Sequence, residues 1–223
     1  MPSYPILLIT TLLTLSLPAY ATDPAPTQAH VQDLLELRRE VSAISATIEL
    51  VLRTDAVETV VQKGTLIARA SGQFRFEFTT PSRELHVGDV RTHTIWNPSN
   101  NQVIISSVPE DTEKTALHYT RWFEGLGALK DLYTITPAFD SSTAAHAVFT
   151  LTPRSTEASS GLLPVTMSID ITTKLPATVT VTDEYTTETI RFSGVKLNPP
   201  VDSKTFVFHP PEGADVIDMR EEQ

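Results

Sequence analysis

Residues 74–78 read Phe-Arg-Phe-Glu-Phe, and that alternation leaves the chain one local choice. Period-2 spacing puts Phe74, Phe76 and Phe78 on one side of an extended segment and Arg75 and Glu77 on the other. This is the pattern of a strand with one dry face and one wet face. The run ending at Arg69 alternates too, and Ala70-Ser71-Gly72-Gln73 supplies the turn between them. Three rings in register make a wide apolar surface. Either the rest of the chain covers it, or something from outside does.

The neighbouring sequence continues the pattern. Ala46, Ile48, Leu50 and Leu52 alternate with Thr47, Glu49, Val51 and Arg53, and a second strand runs over Val57–Arg69, with Lys63-Gly64 marking a bulge. After Phe74–Phe78 and a Pro81-Ser82 turn come Leu85–Val87, Thr92–Trp96 and Val103–Ile105, separated by Gly88-Asp89 and Asn97-Pro98-Ser99-Asn100. Short turns between alternating runs predict an antiparallel meander. Strands resume at Ala147–Leu151, Val165–Ile171, Thr178–Thr182, Glu188–Ser193 and Thr205–Phe208, with Arg154–Gly161 as a polar loop.

Two stretches read as helical. From Thr27, the residues Leu34, Leu37, Val41 and Ile44 recur at spacings of three and four, which predicts an amphipathic helix. Such a helix either caps one end of the sheet or acts as a movable lid. In residues 108–133, Pro109 with Glu110 and Asp111 resembles a helix first turn, and Trp122, Leu126, Leu129 and Tyr133 follow at helical spacing. Gly125 and Gly127 interrupt the segment and predict two short helices with a joint. This is either a connection crossing the sheet or a hinged cover. The expected fold is mainly β with helices (α+β). It is one strongly curved antiparallel sheet, an open half-barrel of about ten strands, its concave face covered by an N-terminal helix and a central helical lid.

Ile6–Leu17 is an uncharged apolar run followed by Pro18 and Ala19-Tyr20-Ala21, a small-x-small cleavage pattern. Residues 1–21 therefore read as a secretory signal peptide cleaved after Ala21, and the run is too short for the ~20 residues of a membrane span. Residues 22–223 are expected to form one domain large enough for its own core. The sequence has no cysteine, so neither a disulfide nor a lipidated cysteine after the signal is possible. The product is expected to be exported without a lipid anchor. A net charge of −10 argues against a nucleic-acid surface and against docking on anionic headgroups.

The six histidines are scattered. His86, Asp89 and His93 come nearest to a cluster but straddle a turn, so surface histidines are expected and no metal site. The chain has no G-x-S-x-G elbow, P-loop or dinucleotide glycine pattern. Nothing here points to an enzyme or a cofactor.

Four blocks carry a resemblance: LLELRREVSAISATIEL (34–50), GTLIARASGQFRFEFTTP (64–81), VGDVRTHTIWNP (87–98) and FSGVKLNPPVDSKTFVFHPPEGADVID (192–218). They resemble the outer-membrane lipoprotein carrier proteins of the LolA type. The last block is the most specific, with its aromatic-x-aromatic run, paired prolines and Glu-Gly-Ala-Asp-Val-Ile. The resemblance implies a monomeric periplasmic carrier whose apolar cavity holds the acyl chains of lipoproteins. Its partners would be those acylated lipoproteins, an inner-membrane ABC-type lipoprotein-releasing transporter and an outer-membrane receptor. The acyl-chain cavity would be lined by Leu34, Leu37, Val41, Ile48, Leu50, Phe74, Phe76, Phe78, Trp96, Trp122, Leu126 and Leu129. Arg69 matches the family's cavity arginine, which hydrogen-bonds the helical lid. Two other readings stay open: a regulatory or lipid-sensing envelope protein on the same scaffold, and a structural periplasmic protein with a solid core and no ligand.

Overall fold

The computed structural model describes residues 26–54, 59–108, 119–155 and 162–220. The signal-peptide reading, the helix first turn at Pro109–Asp111 and most of the Arg154–Gly161 loop lie outside the described residues. A short helix α1 (Gln28–Glu36) precedes a meander of β1 (Ala43–Thr54), β2 (Val60–Arg69), β3 (Phe74–Thr80), β4 (Glu84–Gly88), β5 (Thr92–Asn97) and β6 (Gln102–Ser107). A 3₁₀ turn (Tyr119–Phe123) and the single-turn α2 (Leu126–Leu129) lead to a second meander of β7 (Tyr133–Pro137), β8 (His146–Pro153), β9 (Val165–Asp170), β10 (Pro176–Thr182) and β11 (Thr186–Leu197). The chain closes with a 3₁₀ turn (Ser203–Phe206) and β12 (Asp215–Asp218).

All twelve strands belong to one sheet, in the order β12-β6-β5-β4-β3-β2-β1-β11-β10-β9-β8-β7. The two meanders are joined along β1 and β11, the longest strands, which pair antiparallel from Ile44–Leu197 to Thr54–Thr186. β3 and β8 lie six strand spacings apart in this order, roughly 29 Å on a flat sheet. Their inward phenylalanines, Phe74 and Phe149, nevertheless belong to one buried cluster with α1 and α2 residues between them. The sheet is curved and open, and the helical pieces sit inside the curve.

Alternation sets the two faces. Ile44, Ala46 and Ile48 of β1, Leu66 and Ala68 of β2, and the three phenylalanines of β3 point inward and are buried. The opposite side of the same strands is charged: Glu49 pairs with Lys63 at 3.1 Å and with Arg191 at 2.5 Å across three adjacent strands. The irregularity expected at Lys63-Gly64 is present. Lys63 pairs with Thr80 and Gly64 with Phe78, so the extra residue, Thr79, lies on β3. Gly64 is required there by proximity, since a Cβ would stand 2.0 Å from the Glu77 carbonyl oxygen.

Four local expectations need correction. The first helix stops at Glu36 and does not run through Leu37, Val41 and Ile44. Thr27 caps its start, its hydroxyl accepting from the His30 N–H at 3.3 Å. Beyond Leu37 the backbone groups have tertiary partners instead of helical ones: the Arg39 N–H donates to the Glu124 carbonyl at 2.9 Å and the Ser42 N–H to Asn198 Oδ1 at 2.7 Å. Second, Tyr133 opens strand β7, paired with Pro153, and does not end a helix. Third, Thr205–Phe208 is no strand; Asp202 caps a 3₁₀ turn by accepting from the Lys204 N–H at 2.9 Å. Fourth, the sheet is not wholly antiparallel. The C-terminal segment returns along the outer side and lays β12 parallel to β6, from Asp215–Gln102 to Asp218–Ile105, which only a long connection permits.

Gly64→Ala is expected to push β3 away from β2 and cost about 1–3 kcal/mol, the range for overpacking a tight site. Urea unfolding of the two proteins measures the difference.

Candidate functional site

The inner layer is built around β3. Phe74, Phe76 and Phe78 are 1, 6 and 4% exposed. Phe76 stacks on Phe78 at 5.8 Å and meets Phe74 edge-on at 5.9 Å. Tyr119 closes over them, its ring edge-on to Phe76 at 4.9 Å and to Phe74 at 5.7 Å. Leu34, Val41, Ile48, Trp122, Leu126 and Leu129 join the same buried cluster, with Leu50 half-buried against it. Phe123 packs edge-on to Phe192 of β11 at 5.1 Å. Leu37 stands at the margin, over Gly125. In this arrangement side chains of the sheet and of the helices bury one another in a single cluster.

The helical cover is joined to itself through its backbone. The Gly127 N–H donates to the Leu37 carbonyl at 2.9 Å, and the Arg39 N–H to the Glu124 carbonyl, so two backbone bonds join the end of α1 to α2. Gly125 makes the close approach possible: its φ is +98°, and a Cβ would lie 2.5 Å from the Leu37 carbonyl oxygen. A Lys130–Glu36 ion pair at 2.8 Å reinforces the joint, and Lys130 holds the Glu36 carboxyl below its ordinary range. Toward the sheet the polar ties are at least as many: Lys174 pairs with Asp33 at 2.8 Å, the Arg39 guanidinium donates to the Lys174 carbonyl at 2.9 Å, and Arg154 donates from its side chain to the Lys130 carbonyl at 2.7 Å and from its N–H to the Leu132 carbonyl at 2.9 Å. The exposed Lys174–Asp33 pair contributes little, so apolar contact and the Arg39 and Arg154 hydrogen bonds hold the cover down together.

Polar groups on the inner face went unrecognised in the sequence. His86 and His93 are not surface histidines. They turn inward, share a hydrogen bond between Nδ1 of His86 and Nε2 of His93 at 3.1 Å, and lie against the phenylalanine rings at 5.4–6.5 Å. Glu84 stands 3.5 Å from His86 and accepts from Gln62 at 3.0 Å. Asp89 takes no part; it accepts from the Arg91 and Thr92 N–H groups in the turn. Burial, opposed by Glu84, lowers the His86 pKa, and burial together with His86 pushes His93 down to about 4. No group of three or more potential metal ligands forms among the described residues. Glu188 of β11 also faces inward, in step with Ile190 and Phe192, and burial raises its carboxyl. Period-2 alternation with those two residues was the signal that could have found it.

Arg69 and Trp96 lie on the other face. Because Leu66 and Ala68 turn inward, Arg69 turns outward. Its guanidinium donates to the Val201 carbonyl and to Gln73 Oε1 at 3.5 Å, and rests 5.2 Å over the Phe206 ring. Arg75 donates to the Thr205 carbonyl at 3.2 Å, and Trp96 meets Phe208 at 5.7 Å. Arg69 thus fastens a C-terminal strap across the outer side in this structure and does not reach the helical cover. Beneath the strap, Leu85, Val87 and Val103 form a smaller buried patch.

Residues 49–209, well over half of the chain, match the family described as "Outer membrane lipoprotein carrier protein LolA". An outer-membrane lipoprotein carrier protein of Alcanivorax borkumensis is 28% identical, the alignment covering 94% of this chain and 98% of the relative. One from Pseudomonas putida is 26% identical, covering 95% and 97%. Among solved structures, a LolA superfamily protein of Nitrosomonas europaea superposes loosely, with a TM-score of 0.40 and 12% identity over 81% of this chain and 97% of its own.

The histidine pair sets a pH dependence. With folded values below the ordinary 6.5, its neutral form favours the folded state; the benefit is complete above pH 6.5 and is lost as pH falls toward 4. Glu188, raised above 4.5, acts in the opposite sense. The histidine part is therefore read as a difference: the fall in Tm between pH 7.5 and 5 should be smaller in His93→Gln than in the unaltered protein. Arg69→Ala is expected to speed proteolysis within residues 199–218 while leaving the helical cover as protected from amide exchange as before.

Proposed function

The chain belongs to the LolA family of outer-membrane lipoprotein carriers, and from that premise we propose that it is a periplasmic carrier for lipoprotein acyl chains. Hydrocarbon would be taken in between the inner face of the sheet and the joined α1–α2 cover, carried through water, and released at the outer membrane. One observation carries this reading: a wide phenylalanine-rich face is covered by a helical plate that is joined through its backbone and meets that face through apolar side chains.

The energetics favour such a device. Each methylene moved out of water gains about 0.8 kcal/mol, so a long acyl chain cannot travel unshielded. In the closed form the cover's own side chains, Trp122, Leu126 and Leu129 among them, shield the phenylalanines. A loaded form exchanges those contacts for contacts with lipid. The two are chemically alike, so opening is offset by filling, and cargo can be both held and released. No bond is made or broken; the work is a difference in affinity between donor, carrier and acceptor. The donor would be an inner-membrane ABC-type transporter and the acceptor an outer-membrane receptor. An exported chain with its first 21 residues removed fits that setting.

A second reading has an observation of its own. The dryness of the closed layer, with Phe74 at 1% and Leu126 at 0% exposure, is also what a structural protein with a solid core would show.

Titration with a fluorescent fatty acid, and release of acylated lipoprotein from inner-membrane spheroplasts into a soluble complex, test the two. Saturable uptake and lipoprotein release are expected. Arg39→Ala, which removes the guanidinium bond between cover and sheet and keeps the Arg39 N–H bond to the Glu124 carbonyl, should raise the uptake rate severalfold. A protein that excludes the probe in both forms and releases no lipoprotein would be the solid-core protein instead.

A further inference from the structure

We propose that Glu188 makes the inner layer selective for amphiphiles whose head group carries a protonated amine. The inference rests on the carrier reading and adds a head-group chemistry to it.

Glu188 belongs to the inward face by register. Ile190 and Phe192, two and four residues on, are buried in the core, while Arg191 between them reaches the outer side and pairs with Glu49. The residues opposite Glu188 in the neighbouring strands are Leu52 of β1 and Val181 of β10, both apolar. Burial, and after it the Glu188 charge, raises the Tyr119 phenol, and Tyr119 packs on Phe74 and Phe76. Glu188 therefore sits at one end of the layer, two residues from the start of β11. The apolar surface runs on along that strand for about 13 Å to Phe192.

Several other carboxylates have cationic partners: Asp33 with Lys174, Glu36 with Lys130, Glu49 with Lys63 and Arg191, Glu77 with Arg75. Glu84, on the same inner face, accepts from Gln62. Glu188 makes no hydrogen bond and no ion pair with any described residue. A half-buried carboxylate between apolar neighbours is less favourable than one in open water until a donor or a cation reaches it. Burial raises its pKa, the direction expected of a charge without a counter-ion. An alkylammonium supplies what is missing: a charge-assisted donor at the rim, with a hydrocarbon tail for the phenylalanine face. A carboxylate or phosphate head would be repelled at this position.

The test uses the purified full-length mature chain and three probes of equal tail length, dodecylamine, dodecanol and dodecanoate, titrated below their aggregation concentrations at neutral pH and 0.15 M salt. Dodecylamine is expected to bind roughly tenfold more tightly than dodecanol, the ratio a charge-assisted hydrogen bond confers, and dodecanoate more weakly than either. Glu188→Gln should bring dodecylamine level with dodecanol and leave dodecanol unchanged, with no loss in Tm. An amine no tighter than the alcohol, or a preference that survives Glu188→Gln, overturns the inference while leaving the carrier reading intact. Exclusion of all three probes removes the carrier reading and the inference with it. A second arm separates two sources of amine. A diacylated lipopeptide with a free α-amine is compared with its N-acylated, triacylated counterpart. A Glu188-dependent preference for the free amine assigns the group to lipoprotein cargo. Equal binding of the two lipopeptides beside a preference for dodecylamine assigns it to an amine-bearing lipid.

Discussion

A sheet this wide with phenylalanine, leucine and isoleucine on one side cannot leave that side to water. Every other feature of the chain follows from how the requirement is met. The sheet bends so that strands from both meanders contribute to one cluster, and the concavity is closed by two short helical pieces rather than by a second sheet. Those pieces are small, nine residues and four, and neither would be a stable helix by itself. Their conformation depends on the surface they cover.

That dependence has two sides. The backbone bonds from Gly127 to Leu37 and from Arg39 to Glu124 make one plate from two segments far apart in sequence. Against the phenylalanine face the plate makes apolar contacts, which carry no directional requirement, while at its margin the Arg39 and Arg154 hydrogen bonds and the Lys174–Asp33 pair fasten it to the sheet. A carrier would have to release those few bonds to open; a purely structural core would not.

Much of this architecture was legible in the sequence, because period-2 alternation is a strong signal and short turns leave few topologies. The strands around Phe74–Phe78 lie where the alternation placed them, and the joint at Gly125 is where helical spacing faltered. What escaped had physical causes. Val41 and Ile44 are buried in both the helical and the extended reading, so burial spacing alone could not end α1 at Glu36. β12 is four exposed residues laid along the edge of β6, a partner invisible to local pattern. Arg69 and Trp96 were read as cavity residues by resemblance, yet parity with Ala68 and Leu85 already assigned faces. Ala68 turns inward, so Arg69 beside it turns outward, and Trp96 pairs with outward Leu85. His86, His93 and Glu188 were missed because inward polar residues look like outward ones until the register is known.

The parallel β12 has a consequence for the order in which the molecule assembles. Asp215 pairs with Gln102, so the first meander's edge is sealed by residues made more than a hundred positions later. Closing so long a loop is entropically unfavourable and slow relative to hairpin formation. A chain emerging N-terminus first would therefore hold β6 without this partner until residues 215–218 arrive. During that interval the molecule's greatest hazard is pairing with a copy of itself.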